Sequence, residues 1–331
     1  MKSLNPAEEP ADLAAVLPAL RRYFGDAVPH MPPIGETRAR FWTSQGYQTR
    51  GLTYGVFADD AAEDDPALAL VNLEMDLDHN LDLVEAFVAA PRELLHGEAG
   101  RFALREALRI SAEHGRSRLS VDGPTTVDLT GPVTGLGGKK VNTTTRSVLD
   151  LTEVDRARYA AWAEGSAENA DYRLVRWVDH CPQELAESFS RATTAMDDAP
   201  LEDMAYEHAK PSVDRLRGHE EHSARWGVRR RVMAAVDPAG EVAGFNIFVT
   251  MPDEPETVDI WDTAVIRAHR GHGLGLRVKA AATLWMLEEL PRARWVPTYN
   301  NHGNTHMLAV NRALGYRKSE DWYGFELATA R

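Results

Sequence analysis

The chain has 331 residues, 44% of them hydrophobic and 26% charged, with a formal net charge of −13, a globular composition long enough for about two domains. The acidic balance argues against a general nucleic-acid binder, since only short basic runs could neutralise phosphates, and it favours cationic acceptors such as amines. One cysteine, Cys181, excludes an internal disulfide and a cysteine-rich metal site; no stretch is apolar for long enough to span a bilayer and residues 1–10 lack an apolar signal core, so a cytoplasmic protein with no membrane contact is expected.

Strand-like runs at 51–58, 67–75 and 81–90 open the first half and lead through Pro91-Arg-Glu-Leu-Leu-His-Gly-Glu-Ala-Gly100 into a helix at 101–114 and a strand at 118–121. Two prolines and two glycines in residues 122–132 work against a full helix there. Gly135-Leu-Gly-Gly-Lys-Lys140 lacks a strand-to-helix setting and reads as a turn before a closing strand at 143–151, not as a phosphate loop. A helix at 152–168 then links to the second half.

That half begins with a strand at 172–178, after which Cys181 reads as a small packing residue. A helix at 183–195, the acidic loop Met196-Asp-Asp-Ala-Pro-Leu-Glu-Asp203 and a helical stretch to about residue 222 follow. Next comes a hairpin, 228–236 and 241–249, turning at Asp237-Pro-Ala-Gly240. Arg229-Arg-Arg231 opens its first strand, with side chains alternating between faces, and reads as a solvated strand end. A strand at 258–267, a helix at 276–290, a strand at 294–299, a further helix and two short strands, 316–322 and 323–328, complete the series.

The most informative segment is Arg270-Gly-His-Gly-Leu-Gly275, between an apolar strand and a helix. Helix N-termini carry unpaired N–H groups and the positive dipole end, and alternate glycines let backbone approach a phosphate without a Cβ in the way. No Gly-Lys-Ser/Thr follows, which excludes a Walker loop; a dinucleotide fingerprint needs its third glycine one place later and an acidic residue ending the next strand, which here ends in Asn300-Asn301.

Downstream stands Asn300-Asn-His-Gly-Asn-Thr-His-Met-Leu-Ala-Val-Asn-Arg-Ala-Leu-Gly-Tyr316. Together the two segments resemble motifs A and B of the GCN5-related N-acetyltransferase (GNAT) superfamily, in order and at family-like spacing. The first half looks like a worn copy of the same plan: aligning Gly100 with Gly275 sets Leu95 opposite Arg270 and Glu98 opposite Gly273, where a carboxylate would repel a diphosphate. The layout resembles the tandem GNAT proteins of actinobacterial type, the group that includes mycothiol synthase. The implied fold is α/β (α+β), two tandem GNAT domains, each a mixed, mostly antiparallel sheet flanked by helices. Residues 1–150 form the degenerate domain, 151–170 a linker helix and 171–331 the catalytic domain.

The resemblance implies acetyl transfer from acetyl-CoA to a primary amine, of a small molecule or peptide, by direct attack in a ternary complex and with no metal. The protein would act as a monomer or homodimer. By position, the Val265 N–H would face the developing oxyanion. Arg270, Gly271, His272, Gly273, Leu274, Gly275 and Leu276 would hold the diphosphate, and Asn304 and Asn311 would line the cofactor site. Asn311 stands where many members carry a tyrosine acid; asparagine can donate to sulfur but supplies no proton. Tyr299, at the end of the strand after motif A, suits an acid better than a base. Asp262 is a candidate base, or else only holds a strand neighbour; His302 and His306 are further candidates, and His269 and His272 flank motif A. For the acceptor, the loop offers Asp197, Asp198, Glu202 and Tyr206, or is simply solvated. Two alternatives remain: acetylation of a cysteinyl pseudodisaccharide in the manner of mycothiol synthase, and acyl-CoA binding without catalysis.

Overall fold

A computed structural model describes residues 1–329, which divide by contact into two compact units. The first comprises Met1–Thr144, Leu201–Ala209 and the chain from Glu320; the second comprises Thr145–Pro200 and Lys210–Ser319. This differs from the division at 150 and 171: residues 145–170 fall in the second unit, and residues 201–209 and those from Glu320 fall in the first. Within the first unit, Asn80 brackets the backbone of Glu207, donating to its C=O at 2.9 Å and accepting from its N–H at 2.7 Å, and Arg118 donates to Ala205 O at 2.9 Å. The end of the chain joins that unit as a sheet strand.

The first unit runs β1 (Lys2–Leu4), α1 (Pro10–Ala27), α2 (Glu36–Thr43), β2 (Thr49–Val56), β3 (Ala69–Asp76), β4 (Leu83–Ala89), α3 (Arg92–Leu95), α4 (Glu98–Glu113), β5 (Arg118–Pro124), α5 (Thr130–Thr134) and β6 (Lys139–Asp150), whose last residues belong to the second unit. Strands β1 to β4 form an antiparallel meander; β5 pairs parallel to β4 across the α4 crossover. Helix α4 buries Ala103, Leu104, Ala107 and Ile110, a helical stripe that packs into the core with Val71, Leu73 and Val88 of the sheet.

The second unit runs α6 (Arg156–Glu164), β7 (Arg173–Val178), α7 (Gln183–Thr193), a 3-10 turn (Thr194–Asp198), α8 (Val213–Arg225), β8 (Arg229–Val236), β9 (Val242–Thr250), β10 (Asp259–Val265), α9 (Leu274–Glu289), β11 (Trp295–Asn301), α10 (Thr305–Ala313) and the start of β12 (Arg317–Ala328). The expected linker helix is shorter than 152–168 because Gly165, at φ +99°, ends it. Two closing strands were expected, yet β12 is one: no turn residue separates Trp322 from Tyr323, and residues 322–328 continue as an antiparallel partner of β5.

Strands β7 to β10 make an antiparallel sheet in the order β10-β9-β8-β7. One face, with Met233, Phe248 and Ile260, packs on α9; the other, with Val232, Ile247 and Ala264, packs on α7 and Leu216 of α8. Helix α9 is buried nearly all round, including the small run Ala280–Ala282. Strand β11 meets β10 through a parallel bridge, Thr257 with Trp295, beyond which no ladder pair joins the two among the described residues. The strands splay toward the loop that precedes α9.

Among the described residues no helix is long and apolar enough to cross a membrane, and no cluster of His, Cys, Asp and Glu is arranged to hold a metal.

Lys279, on α9, is 2% exposed, and its Nζ has no hydrogen-bond partner; its one compensating contact is the Tyr316 ring, 4.8 Å away. Burial pushes its pKa down from 10.5 to about 7. The folded state thus binds fewer protons than the unfolded state between those values, and stability rises with pH through that window. Lys279→Met is expected to stabilise the protein by about 2–4 kcal/mol at pH 6, with the gain shrinking above pH 7 and absent above 10.5; urea unfolding at several pH values measures it.

Candidate functional site

The loop before α9 leaves its own donors free. Gly271 (φ +87°) and Gly273 (φ +70°) are left-handed, conformations that glycine adopts without steric cost. Gly273 is the N-cap and offers no side chain, unlike Asp155 of α6, Ser212 of α8 and Asn304 of α10, each of which accepts N–H bonds from its own helix. The N–H groups of Gly271, His272, Gly273, Leu274, Gly275 and Leu276 accordingly donate to nothing among the described residues; the first helical bond is Arg277 N–H to Gly273 O, 3.1 Å.

Side chains fix this loop from behind. Asn169 donates to His272 O (2.8 Å), and His272 Nδ1 lies 3.1 Å from Glu168 O. The imidazole therefore faces the segment ahead of β7, while the His272 backbone N–H remains free. Tyr172 OH meets His269 Nδ1 at 2.9 Å. Arg277, buried in the first turn of α9, donates to the carbonyls of Ala163, Asn169 and Tyr172 at 3.1, 2.5 and 3.0 Å. Motif spacing gave no sign of Arg277, because its partners lie more than a hundred residues away.

The splay between β10 and β11 adds one more donor. Ile266 N–H bonds to Ala243 O of β9 (2.9 Å), so by ladder alternation the N–H and C=O of Val265 turn away from β9, toward β11. The carbonyl is taken by Arg270 Nε at 3.0 Å; the N–H faces the gap. Upstream, the ladder slips: Ile260 opposes Phe248 and Asp262 opposes Ile247, leaving Trp261 as an extra residue in a β-bulge. Asp262 thereby shares the α7/α8 face with Ile247 and Val232. Burial raises its carboxyl above the ordinary range, and nearby Arg230 pulls it back down. Asn246 steadies the bulge, donating to Thr263 Oγ1 (2.7 Å).

In motif B, Asn304 caps α10 by accepting from Met307 N–H at 3.2 Å, so its side-chain oxygen is committed to the helix. Asn311, 1% exposed, donates to Asn300 Oδ1 at 2.6 Å, while its own Oδ1 has no partner. The expected donation from Asn311 to sulfur gives way to this Asn–Asn bond, which directs an amide N–H at the end of β11. Tyr299 is 45% exposed, with the Arg146 guanidinium 5.9 Å from its ring centre. His302 and His306 are exposed.

Residues 190–316, which contain the loop, the splay and the Asn–Asn pair, match the acetyltransferase (GNAT) family profile. The likeness to that family thus lies in the segment that carries the loop and both motifs. Among solved structures, the chain is similar to a tandem GNAT protein from the clavulanic acid biosynthesis pathway, with TM-score 0.77 and 20% identity over 100% of this chain and 98% of that one. It is also similar to a GCN5-related N-acetyltransferase from Sphaerobacter thermophilus, with TM-score 0.62 and 12% identity over 100% and 95% of the two chains. These likenesses extend the tandem GNAT fold over the whole chain. No curated protein matches it in sequence.

The acidic loop is shared between the two units. Asp198 belongs to the second unit and grips Arg270 Nη2 at 2.6 Å; Asp197 beside it is exposed. Glu202 and Tyr206 pack in the first unit: Glu202 accepts from Thr143 N–H (3.3 Å), and Tyr206 lies edge-on to His79 and His208. The four expected acceptor residues thus fall in both units, Asp197 and Asp198 in the second and Glu202 and Tyr206 in the first. Arg229-Arg-Arg231 also differs from a solvated strand end. Arg229 is exposed and pairs with Asp179 (3.1 Å), but Arg230 is 7% exposed because its face of β8 lies under α7 and α8. Cys181 is buried, and its thiol is pushed up to about 12, as a packing residue's would be.

The first unit lacks the open loop. Helix α3 occupies the approach to α4, and a Cβ on Gly100 would lie 2.0 Å from Leu95 O. Gly97 caps α4 at φ −87°, so no left-handed turn opens its amides, and Glu98 adds a negative charge in the first turn.

Two outcomes test the site. Gly273→Glu, which forces a side chain into a left-handed position and a charge among the free amides, is expected to abolish the rise in melting temperature on adding acetyl-CoA; an unchanged rise would overturn the diphosphate assignment. Asp198→Asn frees Arg270 from an exposed ion pair and is expected to tighten acetyl-CoA binding about two- to fivefold at low salt, as titration calorimetry would show.

Proposed function

We propose that the second unit transfers an acetyl group from acetyl-CoA to a primary amine by direct attack within a ternary complex. The row of unpartnered N–H groups from Gly271 to Leu276, turned outward by left-handed Gly271 and Gly273 at the start of α9, carries this reading, because such a turn suits a diphosphate. In this scheme Arg270 exchanges Asp198 for a phosphate oxygen. The Val265 N–H, turned into the splay, donates to the thioester oxygen as negative charge grows there.

Asp262 removes the proton from the acceptor ammonium; its raised pKa makes it a stronger base than an exposed aspartate. The amine nitrogen then bonds to the acyl carbon, the C–S bond breaks, Tyr299 gives its phenolic proton to the departing sulfur, and the second proton that the new amide nitrogen sheds returns the phenolate to the phenol. Asn311, its amide bound to Asn300, positions the end of β11 and supplies no proton.

Asp262→Asn is expected to lower kcat about a hundredfold or more while leaving the acetyl-CoA melting shift intact. In the wild type, rate should fall with decreasing pH as Asp262 protonates, at a pH above the ordinary carboxylate value of 3.8. Wild-type turnover in Asp262→Asn would assign the base elsewhere.

A further inference from the structure

Arg230 is 7% exposed, yet no acceptor among the described residues takes a hydrogen bond from its guanidinium. Its Cζ lies 5.5 Å from the centre of the Trp261 ring, a cation–π contact. The carboxylates around it are engaged elsewhere or stand off. Glu220 accepts from Cys181 N–H (2.8 Å), Arg217 Nη1 (2.7 Å) and His180 Nδ1 (3.2 Å). Asp179 pairs with Arg229 and accepts from the Arg230 backbone N–H at 3.1 Å. Asp262 influences Arg230 electrostatically without forming an ion pair with it, and its carboxylate accepts no hydrogen bond among the described residues. The same face of the sheet thus presents a cation and an anion, both unsatisfied and held apart.

A guanidinium in a largely buried side chain with no protein acceptor is open to a ligand, and its planar fork matches a carboxylate in paired N–H bonds. A phosphate dianion fits less well, since Glu220, Asp179 and Asp262 would all repel its second charge. We propose that the acceptor is an amino acid, or a molecule with the same ammonium and carboxylate groups, its carboxylate clamped by Arg230 and its ammonium held by Asp262. The assignment rests on the acetyl-transfer reading above and narrows its substrate class. It also runs against the generic preference for cations that net charge suggests, because the wall of the site carries a buried positive group.

The test measures CoA release from acetyl-CoA with a panel of amino acids, their carboxamides and the amines lacking the carboxylate. Wild-type kcat/KM is expected to be about tenfold or more higher for the acids than for the matched amides. Arg230→Gln should bring the acids down to the amide level while changing amide turnover little, and Arg230→Lys should keep part of the preference. Amides or plain amines used by the wild type as well as the acids would overturn the carboxylate clamp and leave acetyl transfer standing. No CoA release from any amine would overturn both. The wild-type comparison decides the question even if Arg230→Gln fails to fold.

Discussion

Everything at the donor end of this protein depends on one constraint: a run of six backbone N–H groups, from Gly271 to Leu276, that has no partner among the described residues. Left-handed Gly271 and Gly273 turn the amides outward, and the exposed positions 271–273 let water serve them until an anion arrives. Such a turn holds its shape only on a rigid base. Helix α9 supplies that base by being buried nearly all round, and Arg277 locks its first turn to three carbonyls of the preceding segment.

The first unit shows what the same strand-helix-strand plan becomes when that constraint is lifted. Its α4 still packs on the sheet through Ala103, Leu104, Ala107 and Ile110, so the fold is kept. The loop is filled instead by α3, with Leu95 fully buried and its carbonyl against Gly100. Gly100 serves packing, whereas Gly271 and Gly273 serve backbone direction. Identical residue types at similar spacing thus answer to different physical demands.

What the sequence disclosed follows the range of the interactions involved. The donor loop and the α10 cap Asn304 were legible because glycine conformation and N-capping are local, set within a few residues. The strand order was legible because hydrophobic periodicity is local too, although β12 showed that an apolar run without a turn residue continues as one strand. The placement of residues 201–209 was not legible, since it depends on Asn80, more than a hundred residues earlier. The bulge at Trp261 carries no signature residue, yet it decides which face Asp262 occupies. Arg230 was hidden for a related reason: β8 is apolar on both faces from Val232 onward, so its pattern gave no hint of which side of an arginine run would be covered.

The two ends of the site use opposite electrostatic means. In the proposed reading, the donor end meets a diphosphate with neutral backbone dipoles, while Arg270 is held by Asp198 in the free protein. The opposite face uses full charges, Arg230 and Asp262, and separates them. Had these two been in contact, they would have satisfied each other and offered a ligand little; breaking a buried pair to admit a substrate carries the desolvation cost of both groups. Held apart, with Trp261 beside the guanidinium and the bulge fixing the face of the carboxylate, each stays open to a ligand that brings the opposite charge to both. In the proposed reading, that separation is what would make the face select a ligand carrying both charges.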